Sequence, residues 1–345
     1  MNDVSFYDKL TPLFDKTQRR GQLTSKDVIL KIDSFAFGDT LCATPTLRKL
    51  AKAYAKEIIV CSNKYDIFKH NPYVKFHINQ EDFKEEYYDQ YEVFSTYECV
   101  GKRDKRGIEC NYAGFDLRRA HSSDIGLDLS PEEMHCDYYP GLVRFGDVDA
   151  QFINKNKYIA IHVTKTWPSK TWPQDKYEKL IKALNKAGYP VALVGVDSPP
   201  EPGLWKFDRS CYDFEDLNFE GLSFMNRTSL DEVYYVIKNS EAFITLDTGM
   251  FHLAGCTDTH IINIGSSIDP KFKTPYRHGS QKYKVDFVGG DCELFCASDP
   301  KYSVIEHGSA NTIPPVPFCL EGKPTFECQP SAEKVIDITL EVLSR

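Results

Sequence analysis

Short continuous apolar runs recur along the chain at VILKI (28–32), IIVCS (58–62), YIAIHV (158–163), VALVGV (191–196), AFITL (242–246) and IINIG (261–265). Runs of this length, bounded by polar loops, read as buried strands. The segments between them change period. TLRKLAKAYAK puts Leu47, Leu50, Ala51 and Tyr54 on one helical face, and QDKYEKLIKALNKAG follows the loop TKTWPSKTWP as a second amphipathic stretch. Leu230, Val233, Tyr234 and Ile237 stand at helical spacing behind a capping box of Ser229 and Glu232, which predicts a helix over 229–239. A short helix MFHLAG follows the turn at Asp247, and SAEKVIDITLEVL (331–343) makes the last helix.

Strand, loop and helix thus repeat in two α/β series. The polar segment FGDVDAQFINKNK (145–157) shows no clear period and reads as a linker between a domain at 1–145 and another at 157–345. Sheets of this kind bind ligands at the carboxyl ends of their strands, so a ligand belongs in the cleft between the two halves.

Composition narrows the function classes. At 345 residues with 41% apolar and 27% charged positions, the chain has globular composition and length for about two domains. No apolar run approaches the ~18 residues that span a bilayer, so membrane contact is at most peripheral. The first 27 residues contain acids and no apolar block, which leads us to expect no secretory leader and a cytoplasmic protein. A formal charge of −8 disfavours nucleic acid as a partner. Eleven cysteines in a reducing compartment argue for free thiols or a metal site rather than disulfides.

Three loops carry candidate chemistry. The first, Asp33 to Thr40, lacks both the dinucleotide fingerprint and the P-loop lysine, but it places Gly38 beside Asp39 at the top of the first strand. Asp39 there is either a base for an attacking hydroxyl or a helix cap ahead of Pro45. The second loop, Thr164 to Pro173, combines hydroxyls and lysines with two Trp-Pro pairs; it reads as a phosphate-binding loop or a solvated one. The third is Asp247-Thr248-Gly249-Met250-Phe251-His252. Amides at the start of its helix would suit a diphosphate, with Gly249 permitting close approach; alternatively Asp247 caps the helix and His252 packs in the core.

The order LKIDSFAFGDTLCATPTLRKL, IAIHVTKTWPSKTWPQDKYEKLIKAL, VALVGVDSPPE, RTSLDEVYYVIKNSEAFITLDTGMFHLAG and IINIGSSIDP resembles the ADP-heptose heptosyltransferases, glycosyltransferase family nine, over about residues 28–75 and 157–280. The resemblance implies a GT-B fold, α/β with two Rossmann-like domains facing each other across a cleft. It implies an inverting glycosyltransferase that moves a heptose or related sugar from a nucleotide donor, ADP by family habit, to a saccharide or protein hydroxyl, as in lipopolysaccharide assembly.

Residue by residue, the family pattern assigns Asp39, with Gly38, as the base and Lys170 as the lysine near the phosphates. Thr164 lies in the same donor loop. Asp197, or Glu201 with a shift in alignment, matches the acid that holds the ribose, and Arg227 and Thr228 fall along the adenine edge. Asp247, Thr248, Gly249 and His252 match the motif that contacts sugar and diphosphate. One departure is His162-Val163-Thr164-Lys165, where the family usually has a glycine or alanine soon after the histidine. Residues 76–145, on the acceptor side, match no familiar pattern.

Cys292-x3-Cys296-x22-Cys319-x8-Cys328 could complete a tetrahedral zinc or iron site. The alternative is a set of buried thiols in an irregular loop. The bacterial autotransporter heptosyltransferases, which the chain resembles in this respect, hold iron with a late cysteine cluster of different spacing. No catalytic metal is expected. The remaining cysteines read as packing residues.

The run Lys102-Arg103-Asp104-Lys105-Arg106 reads as a solvated loop, while Arg118-Arg119-His121 reads equally well as a surface facing an anionic acceptor. Two further functions fit the same halves: a GT-B sugar-nucleotide epimerase or hydrolase without an acceptor, and a non-catalytic scaffold organised by the cysteines.

Overall fold

The structure is a computed structural model that describes residues 27–96 (except 35), 116–164 (except 156), 168–196, 214, 217–278, 284–299, 304–306, 309–311, 319 and 321–345. Its first sheet contains β1 (Val28–Ile32), β2 (Ile58–Cys61), β3 (Val74–Ile78) and β4 (Glu92–Thr96), in the order β3-β2-β1-β4. Every pairing is parallel, with Ile29 opposite Ile59 and Val93.

The second sheet contains β5 (Ile159–His162), β6 (Val191–Val194), β7 (Gly221–Ser223), β8 (Ala242–Leu246), β9 (His260–Ile264) and β10 (Val285–Val288), in the order β10-β9-β8-β5-β6-β7. It too is wholly parallel. A small antiparallel pair, β11 (Val304–Glu306) and β12 (Ser309–Asn311), comes later.

The helices are α1 (Phe37–Leu41), α2 (Thr44–Tyr54), α3 (Tyr65–Phe68), α4 (Tyr87–Gln90), α5 (Leu117–Asp124), α6 (Asp147–Lys155), α7 (Gln174–Lys186), α8 (Leu230–Lys238), α9 (Gly249–Gly255) and α10 (Ala332–Ser344). Their sequences explain their limits. Pro45 sits in the first turn of α2, where its missing N–H costs nothing, and Ala55 ends that helix in the left-handed region at φ 50°. The α8 capping box is complete: the Glu232 N–H donates to Ser229 Oγ, and the Ser229 N–H donates to Glu232 Oε2 at 2.7 Å.

Strands alternating with helices bury both sheet faces, hence the continuous apolar runs. One core begins on β1 and β2 and continues without a break to Tyr158, Phe224 and Val236. A second lies under β5, β6, β8 and β9, closed by Tyr177, Leu180 and Ile181 of α7 and Val335 and Val342 of α10. Among the described residues no helix is long and apolar enough to cross a membrane.

Two segments differ from expectation. The stretch read as a polar linker carries α6, which packs on the second half: the Phe152 ring lies 5.0 Å from Tyr158 and 6.3 Å from Phe224. Its apolar stripe is too narrow to give a period, and Asp147 and Asp149 favour the helix start through its dipole. The first loop also folds into the one-turn helix α1, too short for any pattern to announce.

The strand orders decide where a site can form. In the second sheet the order reverses between β5 and β8, and in the first between β1 and β4. Loops leaving such switch points diverge and open a crevice. Those loops carry Thr164 and Lys170, the Asp247 motif, and Gly38 with Asp39.

Candidate active site

The two halves meet where α1 abuts α9. A Cβ built on Gly38 would lie 2.9 Å from the Gly249 Cα and 3.3 Å from His252 Cδ2, so the contact is backbone to backbone. Asp39 follows at once, in the first turn of α1, 6% exposed and 3.5 Å from the Ser34 hydroxyl. It does not cap α2, whose N-cap is Ala43. His121, on α5, anchors this turn: its Nε2 lies 2.8 Å from the Asp39 carbonyl oxygen and its Nδ1 3.0 Å from Thr96 Oγ1.

On the other side Thr248, not Asp247, is the N-cap of α9, in extended backbone. This releases the Asp247 carboxylate for another partner, and Lys170 Nζ stands 3.4 Å from its Oδ2, with both side chains buried. Burial pushes the Asp247 carboxyl up, but the charges of Lys170 and Lys273 outweigh it and hold the group below its usual range. Lys170 ends a 3₁₀ turn, Pro168–Lys170, that is braced on both sides. The Ser267 hydroxyl donates to Ser169 Oγ at 2.9 Å, Gln329 Nε2 donates to the Thr171 carbonyl at 3.1 Å, and buried Trp172 donates its indole N–H to the Pro330 carbonyl at 3.0 Å.

The histidines of the site are neutral. Burial, then the charge of Arg118, lowers the His252 pKa to about 3, and its Nδ1 has no hydrogen-bond partner among the described residues. Burial lowers His162 to about 4, between the hydroxyls of Thr245 and Thr248 at 3.2 and 3.3 Å. The buried His252 ring therefore keeps one hydrogen-bonding position unused among the described residues.

Other expected residues lie apart. Thr164 is half-buried just beyond β5. Arg227 is exposed, forks onto Asp149 of α6 at 2.7 and 3.0 Å, and stacks on Phe224, while the Thr228 hydroxyl donates to the Phe224 carbonyl. Asp197, Glu201 and the basic run at 102–106 lie outside the described residues.

Two of the four late cysteines, Cys296 and Cys328, are shifted in pKa. Burial first, then Cys296 and Cys292, pushes the Cys328 thiol up to about 12, and burial with Cys319 and Cys292 raises Cys296. Two backbone bonds bring their segments together: Gly290 donates to the Cys328 carbonyl at 3.0 Å and Cys292 to the Glu327 carbonyl at 3.1 Å. Among the described residues, however, no three side chains converge closely enough to hold a metal ion.

Two cations stand differently from the sequence reading: Arg118, read there as part of a surface, and Lys273, which it did not single out. Arg118 is not a surface residue: only 1% exposed, it forks onto Asp116 at 2.8 and 2.7 Å, donates to the Thr274 carbonyl at 3.0 Å and lies over the Tyr276 ring. It joins the two halves. Lys273, beside Thr274, is 3% exposed and shares the charged surroundings of Asp247, Asp39 and Lys170. Neither stands in a recognisable spacing; only burial reveals them.

Comparison with known proteins shows the family and the fold. The family model for glycosyltransferase family 9 (heptosyltransferase) matches residues 105–287. Lipooligosaccharide heptosyltransferase 2 of Haemophilus influenzae is 30% identical over 108 residues, a match spanning 31% of this chain and 30% of that protein. The crystal structure of the iron-containing dodecameric glycosyltransferase TibC from enterotoxigenic E. coli H10407 is similar at a TM-score of 0.63 and 17% identity, covering 93% of this chain and 77% of that one. TibC in complex with ADP-D-beta-D-heptose is equally similar, at a TM-score of 0.63 and 16% identity over the same shares. The two parallel sheets facing one another are thus a GT-B fold, and the chain belongs to glycosyltransferase family 9, the heptosyltransferases.

Proposed function

We propose that the protein is an inverting glycosyltransferase that moves a heptose or related sugar from an ADP-linked donor to a hydroxyl of a saccharide or protein. The observation that supports this reading best is the meeting of Asp39 with the Asp247 to His252 motif across the Gly38–Gly249 contact. It sets a carboxylate from one half beside cations and amides from the other.

The mechanism follows from that arrangement. Asp39 takes the proton of the acceptor hydroxyl as its oxygen attacks the anomeric carbon, and the bond from that carbon to the diphosphate oxygen breaks on the opposite face. ADP leaves with its electron pair. Lys170 and the amides of Thr248, Gly249 and Met250 stabilise the growing charge, and burial strengthens both effects. His252 offers its free Nδ1 to the donor, and Thr164 lines the same loop. We assign the ribose to Asp197 and the adenine edge to residues near Arg227 and Thr228. The divide between the acceptor-side domain and the donor domain is drawn within 145–157. The free thiols suit a reducing compartment, and we place the reaction in the cytoplasm, with the acceptor reached at most from a membrane surface.

We also propose one structural zinc or iron ion at Cys292, Cys296, Cys319 and Cys328. Burial, then the charge of neighbouring thiols, raises Cys296 and Cys328, two backbone bonds bring the segments of Cys292 and Cys328 together, and sulfur donors suit these two metals, whose binding would draw the four side chains closer. The ion takes no part in the transfer.

Donor turnover decides the main reading. Purified protein is incubated with ADP-heptose and other nucleotide sugars, with and without candidate acceptors, and products are identified by mass spectrometry. Acceptor-dependent release of ADP with inversion at the anomeric carbon is expected. Epimerised or hydrolysed donor without acceptor, or no donor binding at all, would overturn it.

A further inference from the structure

Lys273 is not used by the mechanism above. It follows the 3₁₀ turn Pro270–Phe272 and is 3% exposed. Its charged surroundings are Asp247 and Asp39, with Lys170 as the neighbouring cation. Four separate segments therefore bury two carboxylates and two ammonium groups together: the β1–α1 turn, the turn at 168–170, the start of α9 and the loop after β9. Buried ions persist only where opposite charge and fixed geometry repay the loss of water.

The geometry is fixed from several directions. Arg118 donates to the Thr274 carbonyl at 3.0 Å, the Thr274 hydroxyl donates to the Pro270 carbonyl at 2.8 Å, and the Ser267–Ser169 bond ties this loop to the turn that carries Lys170. Asp247 is influenced by both lysines and is already within 3.4 Å of Lys170. Asp39 has Ser34. Neither acid therefore depends on Lys273 alone.

We propose that Lys273 is a second diphosphate-binding cation of the donor site, exchanging its aspartate surroundings for phosphate oxygens when the donor enters. The proposal rests on the donor reading above. A diphosphate brings several charges at once and gains from two ammonium groups held close together.

Calorimetry of ADP, AMP and adenosine binding to wild type, Lys273→Met and Lys273→Arg tests this. The Met variant should lose about ten- to hundredfold in ADP affinity, as expected for a charged hydrogen bond, and keep adenosine affinity within about threefold. The Arg variant should recover most of the loss. Should the Met variant fail to fold, Lys273→Gln, with a polar head in the same space, is read in the same way. ADP affinity within about threefold of wild type overturns the proposal, as does an equal loss for ADP and adenosine. Wild-type protein that binds no ADP overturns the donor reading and this proposal with it.

Discussion

Gly38 and Gly249 stand backbone against backbone, so close that a Cβ on Gly38 would come within 2.9 Å of the Gly249 Cα and one on Gly249 within 3.0 Å of the Gly38 nitrogen. Real Cβ atoms do not approach main chain so closely; any side chain here forces the two halves apart. The pair acts as the gauge that fixes how near the Asp39 turn comes to the Asp247 to His252 segment.

Gly249→Val should therefore weaken donor binding and also slow transfer. The branched side chain meets Gly38 and Phe37, besides intruding where phosphate meets the amides. We expect ADP affinity to drop by at least about tenfold, equal to about 1.4 kcal/mol. Wild-type affinity by calorimetry would remove Gly249 from the phosphate site.

Asp39→Asn should leave ADP affinity nearly unchanged and lower transfer about 10²- to 10⁴-fold, as for loss of a general base. In the mechanism proposed above the residue acts on the acceptor, from the half opposite the donor. Near-normal turnover by a folded variant would end its role as base.

Stability should fall in mild acid. His121 and His162 have folded pKa values of about 4 and His252 about 3, each lowered first by burial from an ordinary 6.5. The unfolded chain takes up these protons near pH 6.5, whereas the folded protein refuses them until pH 4 to 3. Their contribution is thus fully present above pH 6.5 and is lost as pH falls towards the folded values. With three such groups the slope is at most about 4 kcal/mol per pH unit. Urea unfolding at pH 7 and pH 5 measures it, and equal stabilities would contradict the neutral, buried assignment.

Arg118→Ala should be among the most destabilising single changes. It strands the buried Asp116 carboxylate and cuts the link to Thr274, a loss of about 3–5 kcal/mol for half of a buried pair. Arg118→Lys keeps the charge but not the fork and should cost less. Denaturant midpoints separate the cases; a loss under about 1 kcal/mol for Ala would show that the clasp contributes little.

Protein purified without a chelating tag should carry about one equivalent of zinc or iron, as a four-sulfur site holds a single ion. Its removal should lower the thermal midpoint by several degrees. Elemental analysis that finds only traces, with four titratable thiols in this segment, would leave Cys292, Cys296, Cys319 and Cys328 as packing residues.

The features legible in the sequence are those written in short-range pattern. The runs that form β1, β5, β6 and β8, the Ser229–Glu232 box and the glycine after Asp247 each declare themselves within a few residues. What stayed hidden depends on distant segments meeting. Asp116 and Arg118 look like ordinary polar residues until Thr274, 156 positions after Arg118, arrives to accept a hydrogen bond. Lys273 sits in KFKTPYR, indistinguishable from a solvated cation until the loop is buried. His121, set beside two arginines, suggests surface, yet its ring is fully buried under Asp39. Asp247 could be read as cap or site, and the extended backbone at Thr248 separates the two by taking the cap position itself.

The brace behind Lys170 carries a further implication. Gln329 and Pro330, which receive or supply the bonds from Thr171, Trp172 and Lys176, directly follow Cys328 in the chain. The thiol segment and the turn that carries Lys170 are therefore joined by hydrogen bonds, although neither is near the other in sequence. A disturbance at Cys328 thus has a covalent route of one or two residues to the hydrogen bonds that hold Thr171 and Trp172, directly behind Lys170.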